Sequence, residues 1–392
     1  MQFERFRAHF IILSVIVCIS GFSQGLLLPL ISFIFENRGI SPAVNGLHAS
    51  GLYIGVLLSA LFIEAPLRKY GFRPMIITGG IIVSLSLLAF PLWGSIIFWF
   101  VLRLFVGIGD NALQFSTQTW LTQTAPKQKL GTVVAFYGLF FSLGFMAGPK
   151  VSELVTIWEP LPFLISGALS MIAWPLIFLI SGADAKPVDT GARVTIFNTF
   201  RNFKAVIITS WAAFLFPMIF GVLEASLNSN FPVFAVRNGF EISQVTWILP
   251  AFSFGAIILQ VPIGALGDRM GRGKMISILL ALGAGTFILM ELFSTSFIML
   301  LILFILAGIF VGSMYSLGIS YMTDITPKSN LPAGNLMAGI MFSLGSIFGP
   351  AIGGAIIGAT GGAFYFTFIA LIIVTALSLN IFFIVKKNAS TQ

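Results

Sequence analysis

Two charged residues sit where an aqueous protein would not strand them. Asp110 and Arg103 share a run, 95–121, that is otherwise nearly all apolar. Their seven-residue separation is close to two helical turns, so both fall on one helix face. An ionisable group inside such a run costs at least a few kcal/mol in lipid and is by default a functional candidate. Two readings fit the pair: a carboxylate with a charge partner that exchanges a proton, or a structural ion pair that fixes helix packing. Glu224 stands in a second apolar run, 205–231, with no cation close in sequence. It is a second candidate for proton exchange, the plainer reading being a wet carboxylate nearer the surface. Gln24, Gln114, Gln118, Asn228 and Gln260 offer hydrogen bonds to a substrate, or equally interhelical bonds. Lys150 and Glu153 are spaced i, i+3, and Glu64 and Arg68 i, i+4, spacings at which each pair closes on itself. Glu291 falls at a helix end.

The elements that must position these residues are membrane spans. Of 392 residues, 57% are hydrophobic and 9% charged, with a mean hydropathy of +1.02. Soluble domains carry about 25% charged residues. The sequence holds 42 Phe and 40 Gly, and Gly is frequent where membrane helices approach closely. A span needs about 20 apolar residues. Twelve such runs follow one another, near 9–35, 43–64, 74–92, 95–121, 131–154, 160–181, 205–231, 243–265, 274–293, 296–322, 332–359 and 363–385. The first begins like a signal peptide, with Arg5 and Arg7, but is too long and has no small-residue cleavage site, so it reads as a retained span. Phe115, Trp120, Phe140, Phe216, Trp247 and Phe252 read mostly as packing or lipid-facing groups.

The net charge of +8 is spread in short clusters between the runs, a pattern that excludes a nucleic-acid face. With the N-terminus cytoplasmic, seventeen Lys and Arg fall inside, only Arg38 and Arg237 fall outside, and Arg103 and Lys150 lie within spans. The positive-inside rule therefore places both termini in the cytoplasm. The most polar stretch, residues 182–204, reads as a cytoplasmic linker with a surface helix near Phe197–Phe203. It separates an N-terminal six-helix half, 1–181, from a C-terminal six-helix half, 205–392.

Those halves are copies. Gly107, Pro126, Gly144, Gly148 and Pro149 recur as Gly308, Pro327, Gly345, Gly349 and Pro350, each displaced by 201. Gly21, Gly39 and Gly71 recur as Gly221, Gly239 and Gly271, displaced by 200. A shift this constant identifies an internal repeat. Six spans per copy give both the same orientation, so the repeats are parallel, with a substrate site expected near the midplane.

The residues Gly264, Leu266, Asp268, Arg269, Gly271, Arg272 and Lys274 resemble the loop signature of the major facilitator superfamily, Gly-x-Leu-x-Asp-Arg-x-Gly-Arg-x-Lys. The chain resembles this family over essentially its whole length. The first-half loop departs from the signature: Arg68 holds the acidic position and Glu64 the leading glycine. Arg103 followed by Gly107 and Gly109 is similar to the family's span-4 motif, whose Arg lies near the proton site in proton-coupled members. Gly144, Gly148 and Pro149 resemble the start of the antiporter motif Gly-x-x-x-Gly-Pro-x-x-Gly-Gly, with Lys150 and Glu153 in its closing stretch. Gly345, Gly349, Pro350, Gly353 and Gly354 complete it in the second copy. The resemblance implies twelve transmembrane helices in two parallel six-helix repeats, an all-α integral membrane fold. It implies that the first span of each half lines a central cavity, so that Gln24 and Glu224, related by 200, face one another across it.

No phosphate-binding loop, nucleophile elbow or paired-histidine motif is present, so an ion or substrate gradient supplies the energy and no enzyme activity or cofactor is expected. One cysteine, Cys18, reads as an apolar filler, and His9 and His48 are too far apart in sequence for a metal motif. The sequence points to a monomeric secondary transporter in the cell membrane that exports a small organic molecule, drugs among the candidates, by proton antiport. Asp110, Glu224 and Arg103 are the coupling candidates. With few cavity cations, the expected substrate is cationic, zwitterionic or neutral. The alternative is an importer or facilitator of a sugar or other metabolite, and a non-transporting membrane receptor is a remote third.

Overall fold

The computed structural model describes residues 2–126, 130–180 and 196–389. Among these residues every regular element is helical. Lipid offers no partner to an exposed backbone amide, so a spanning segment must satisfy its own hydrogen bonds as a helix. The chain groups into two compact units, Met1–Arg38 with His48–Ala192 and Gly39–Leu47 with Arg193–Gln392.

The first unit contains α1 (Gln2–Asn37), most of α2 (Pro42–Phe62), α3 (Glu64–Tyr70), α4 (Phe72–Ala89), α5 (Ile96–Thr124), α6 (Leu130–Ser152) and α7 (Leu161–Ala173), the last prolonged by a 3-10 segment, Trp174–Leu179. The second contains α8 (Ile196–Arg237), α9 (Ile242–Ile258), α10 (Gln260–Met270), α11 (Arg272–Leu292), α12 (Phe297–Val311), α13 (Met314–Ile325), α14 (Leu331–Thr360) and α15 (Tyr365–Ala389). Eleven helical stretches are long and apolar enough to cross a membrane among the described residues, and twelve if α9 and α10 count as one span. Those two helices meet at Leu259 with a 45° bend, so the run expected to be a single span over 243–265 is broken. Residues 182–195 of the expected linker lie outside the described residues. From Ile196 the backbone is helical into the next span, interrupted at Ser210 (φ −134°, ψ 16°). There the Ser210 and Thr326 hydroxyls lie 2.7 Å apart.

The repeat is written into helix contacts. In the first unit α1 packs on α6, and a methyl added at Gly144 would stand 1.8 Å from the Cys18 carbonyl oxygen. In the second unit α8 packs on α14, and a methyl at Gly345 would stand 1.9 Å from the Met218 carbonyl oxygen. Gly148 and Gly349 lie one turn further on against α1 and α8. Without a hydrophobic drive between helices in lipid, this backbone-to-backbone approach is a main source of association. Gly71 (φ +90°) and Gly271 (φ +89°) make the sharp turns after α3 and α10, a conformation side chains with a Cβ resist. Pro149 and Pro350 follow the packing glycines inside α6 and α14.

Candidate functional site

Asp110 is fully buried inside the first unit. The Ser20 hydroxyl of α1 donates to its Oδ1 at 2.6 Å, and Gln114, one turn along α5, donates from Nε2 to Ser20 Oγ at 3.3 Å. The Gln24 side chain also lies against the carboxyl group. The four residues sit on two helices at one-turn spacing, so each helix presents its polar groups on a single stripe. Gln24 and Gln114, read from sequence as substrate-cavity residues, therefore belong to the surroundings of Asp110. Ser20 completes the cluster and was not singled out in the sequence. A serine in a membrane helix carries little signal, because its hydroxyl satisfies itself on a backbone carbonyl as readily as on a distant partner.

The expected Arg103–Asp110 ion pair does not form. Two turns on one face align the residues but set them about 10 Å apart along the axis, beyond contact. Arg103 is fully buried and donates from Nη2 to the Leu27 carbonyl at 3.3 Å, while its Nε and Nη1 have no hydrogen-bond partner among the described residues. His48 and Tyr53 of α2 lie within electrostatic reach of it.

In the second unit Glu224 is half-buried on α8, with Tyr315 of α13 within electrostatic reach. Tyr315 packs against Phe220 (ring centroids 6.2 Å apart) and Phe342 (5.5 Å). Among the described residues no cation pairs with Glu224. Asn228 turns back to donate to the Glu224 backbone carbonyl at 2.8 Å, so part of its donor capacity is spent on its own helix. Gln260 is exposed at the start of α10, beside the bend.

The glycine-rich loop forms a charge cluster at the α10–α11 turn. Arg272 donates to Asp268 Oδ1 from Nε (3.1 Å) and Nη2 (2.8 Å), and from Nη1 to Asp324 Oδ1 (2.6 Å) and the Ser320 carbonyl (2.9 Å). Arg269 lies exposed next to it. Asp324, at the end of α13, is a partner that the loop signature alone does not name. In the first unit Arg68 pairs with Glu64 at 2.7 Å, and Arg73 instead donates to the Ile177 (3.3 Å) and Ile180 (3.1 Å) carbonyls at the end of the sixth span. Lys150 and Glu153 do pair with each other. Glu291 accepts from the Phe364 and Thr367 backbone amides, capping the start of α15.

A bundle of spanning helices built twice over, with a carboxylate sequestered in one copy and another acid on the leading helix of the second copy, has the form of a membrane carrier. The family described as Major Facilitator Superfamily matches residues 13–243 and 214–392, and the chain belongs to it. The MFS-type transporter YfkF of Bacillus subtilis (strain 168) is 49% identical over 367 residues, 93% of each chain. Multidrug resistance protein 2 of the same organism is 23% identical over 399 residues, 97% of this chain and 96% of that one. The crystal structure of the nucleoside transporter NupG superposes with a TM-score of 0.75 at 15% identity, over 96% of this chain and 98% of that one; at this identity the likeness is one of fold. The chain is accordingly a multi-pass membrane transporter that acts on small substrates, and not an enzyme.

Proposed function

We propose that this transporter exports a small organic molecule from the cell in exchange for protons, by alternating access, with its termini in the cytoplasm. The observation that carries the reading is the isolation of Asp110: fully buried, held by Ser20 on one oxygen with Gln24 against the carboxyl group, and with no cation in ion-pair contact among the described residues. An ionisable group so placed in lipid is a functional candidate, and proton binding and release there are coupled to whatever changes its surroundings. Glu224 is the second acid. A proton taken from outside displaces substrate, and its release inward resets the carrier. Arg103, Gln24, Gln114, Asn228 and Gln260 remain the candidates for tuning the acids or meeting the substrate. Support for export comes from the full-length similarity to Multidrug resistance protein 2 and from the complete antiporter-like glycine motif on α14.

One observation favours a second reading, import or facilitated exchange of a metabolite. At the end of α6 the ion pair of Lys150 with Glu153, the first residue beyond the helix, occupies the stretch where the motif would close with glycines. Inverted membrane vesicles with an imposed pH gradient decide between them. Adding a lipophilic cation such as ethidium should collapse the gradient with the wild type and not with Asp110→Asn; Glu224→Gln tests the second acid in parallel. Exchange of radiolabelled metabolites with the gradient intact would instead establish the second reading.

A further inference from the structure

A pocket of about 10 Å³ opens beside Asp110 within the first unit, lined by Ser20 and Ile16 of α1, Gly80 and Val83 of α4, and Ser170 and Trp174 from the sixth span. That is about the space one water molecule needs. Two polar atoms of its lining residues are buried and without a hydrogen-bond partner among the described residues: Asp110 Oδ2, an acceptor, and Trp174 Nε1, a donor. Trp174 is held in place because Gly80 has no side chain: a methyl there would come within 2.4 Å of the Trp174 Cβ. An orphaned acceptor and an orphaned donor on one small pocket call for an occupant that does both jobs. A water does so, donating to Oδ2 and accepting from the indole N–H. A bare sodium ion does not, because the indole N–H would face its positive charge.

Ser170 joins this pocket to a string of hydroxyls. Its Oγ lies 3.2 Å from Ser23 Oγ, and Ser166 donates to Ser23 at 3.0 Å. All three serines are buried. We propose that Asp110, Trp174 and Ser170 bind one water, wholly inside the first six-helix unit, held through Ser170 to Ser23 and Ser166, and that this water is the group with which Asp110 exchanges its proton. In the exchange the Asp110 Oδ2–H bond and one O–H bond of the water break and the two hydrogens change places, so carboxyl group and water each keep their hydrogen count, and the water carries the exchanged hydrogen away when solvent replaces it. Ser23 itself donates to the Ile19 carbonyl (3.0 Å), which anchors the string to α1. That this exchange serves transport rests on the proposed role of Asp110 in proton coupling; the water site does not.

Infrared spectroscopy of the purified full-length protein in lipid nanodiscs tests both parts without a transported substrate. Wild type minus Asp110→Asn identifies the Asp110 carboxyl bands. Exchange of H2O for D2O should shift them promptly in the wild type. Trp174→Phe keeps the ring and removes the donor; Ser170→Ala removes the hydroxyl. Both should move the band frequency and slow the exchange at least tenfold, and Ser170→Thr should restore it. If Trp174→Phe does not fold, the Ser170 pair alone decides. Unaltered frequency and rate in Ser170→Ala would overturn the proposal, as would a band that follows replacement of choline chloride by sodium chloride, the mark of a bound cation. Proton antiport persisting in Asp110→Asn vesicles would instead remove Asp110 from the coupling reaction while leaving the infrared result on the water to stand.

Discussion

The two six-helix units share a packing scheme and differ in what they place at its centre. Ser20, Gln24, Asp110 and Gln114 of the first unit correspond, by displacements of 200 and 201, to Phe220, Glu224, Val311 and Tyr315 of the second. The same positions meet in both: Ser20 touches Asp110 and Gln114 in one, and Phe220 packs on Tyr315 beside Glu224 in the other. The acid has changed helix, from the fourth span to the leading one. Around the first acid stands a set of hydrogen-bonding groups, around the second a set of aromatic rings. Arg103 corresponds to Phe304, which packs with its ring centroid 4.6 Å from that of Phe231. At the loop end Phe72 stacks on Trp120 at 5.5 Å, where its counterpart Arg272 binds Asp324. A helix–helix contact made by backbone and glycine does not depend on the neighbouring side chains, so the scaffold persisted while the interior diverged.

The hardest way to break this comparison is through the shared scaffold. Gly144→Leu and Gly345→Leu should each abolish folded, inserted protein, measured as the monodisperse fraction after extraction, because the added Cβ alone meets a backbone carbonyl within 2 Å. Gly349→Leu, against Val222, should behave in the same way with a smaller loss. Gly138→Ala and Gly339→Ala, a matched pair with open space around both, should leave the melting temperature equal or higher, since a helix interior favours Ala over Gly by roughly 0.5–1 kcal/mol. Equal tolerance at all these positions would show that the shared contacts are not the source of stability.

Function separates the units next. Asp110→Asn should lower proton-coupled flux at least tenfold while the protein stays folded, and Glu224→Gln should do likewise if both acids carry protons. Loss in one variant alone assigns coupling to one unit. Arg103→Met, which removes a buried and partly unpartnered charge, should leave thermal stability unchanged or raised. A large fall in melting temperature would mark Arg103 as structural. The loop ends of the two units should differ in size of effect. Phe72→Ala should destabilise by about 3 kcal/mol, the usual loss for a buried ring. Arg272→Ala should lose under about 1 kcal/mol, and less at high salt, because its ion pairs face water.

How much of this could be read beforehand depends on the range of the interaction involved. The spans were legible because lipid demands long apolar helices, and the repeat because its glycines recur at a fixed distance. Single positions such as Gly71 and Gly271 were legible because only a local turn is involved. The bend at Leu259 was not, since an apolar run reads the same whether straight or broken. The sequence alone named Asp110, Glu224 and Arg103 as groups out of place, because each charge in lipid is costly wherever it points. It paired Asp110 with Arg103 because they share a helix face, although two turns of helix already set them about 10 Å apart. Only the tertiary structure brought Ser20 and Gln24 to the carboxyl group and set Trp174 opposite it, since contacts between helices distant in sequence depend on how each helix is rotated and how closely its glycines let it approach.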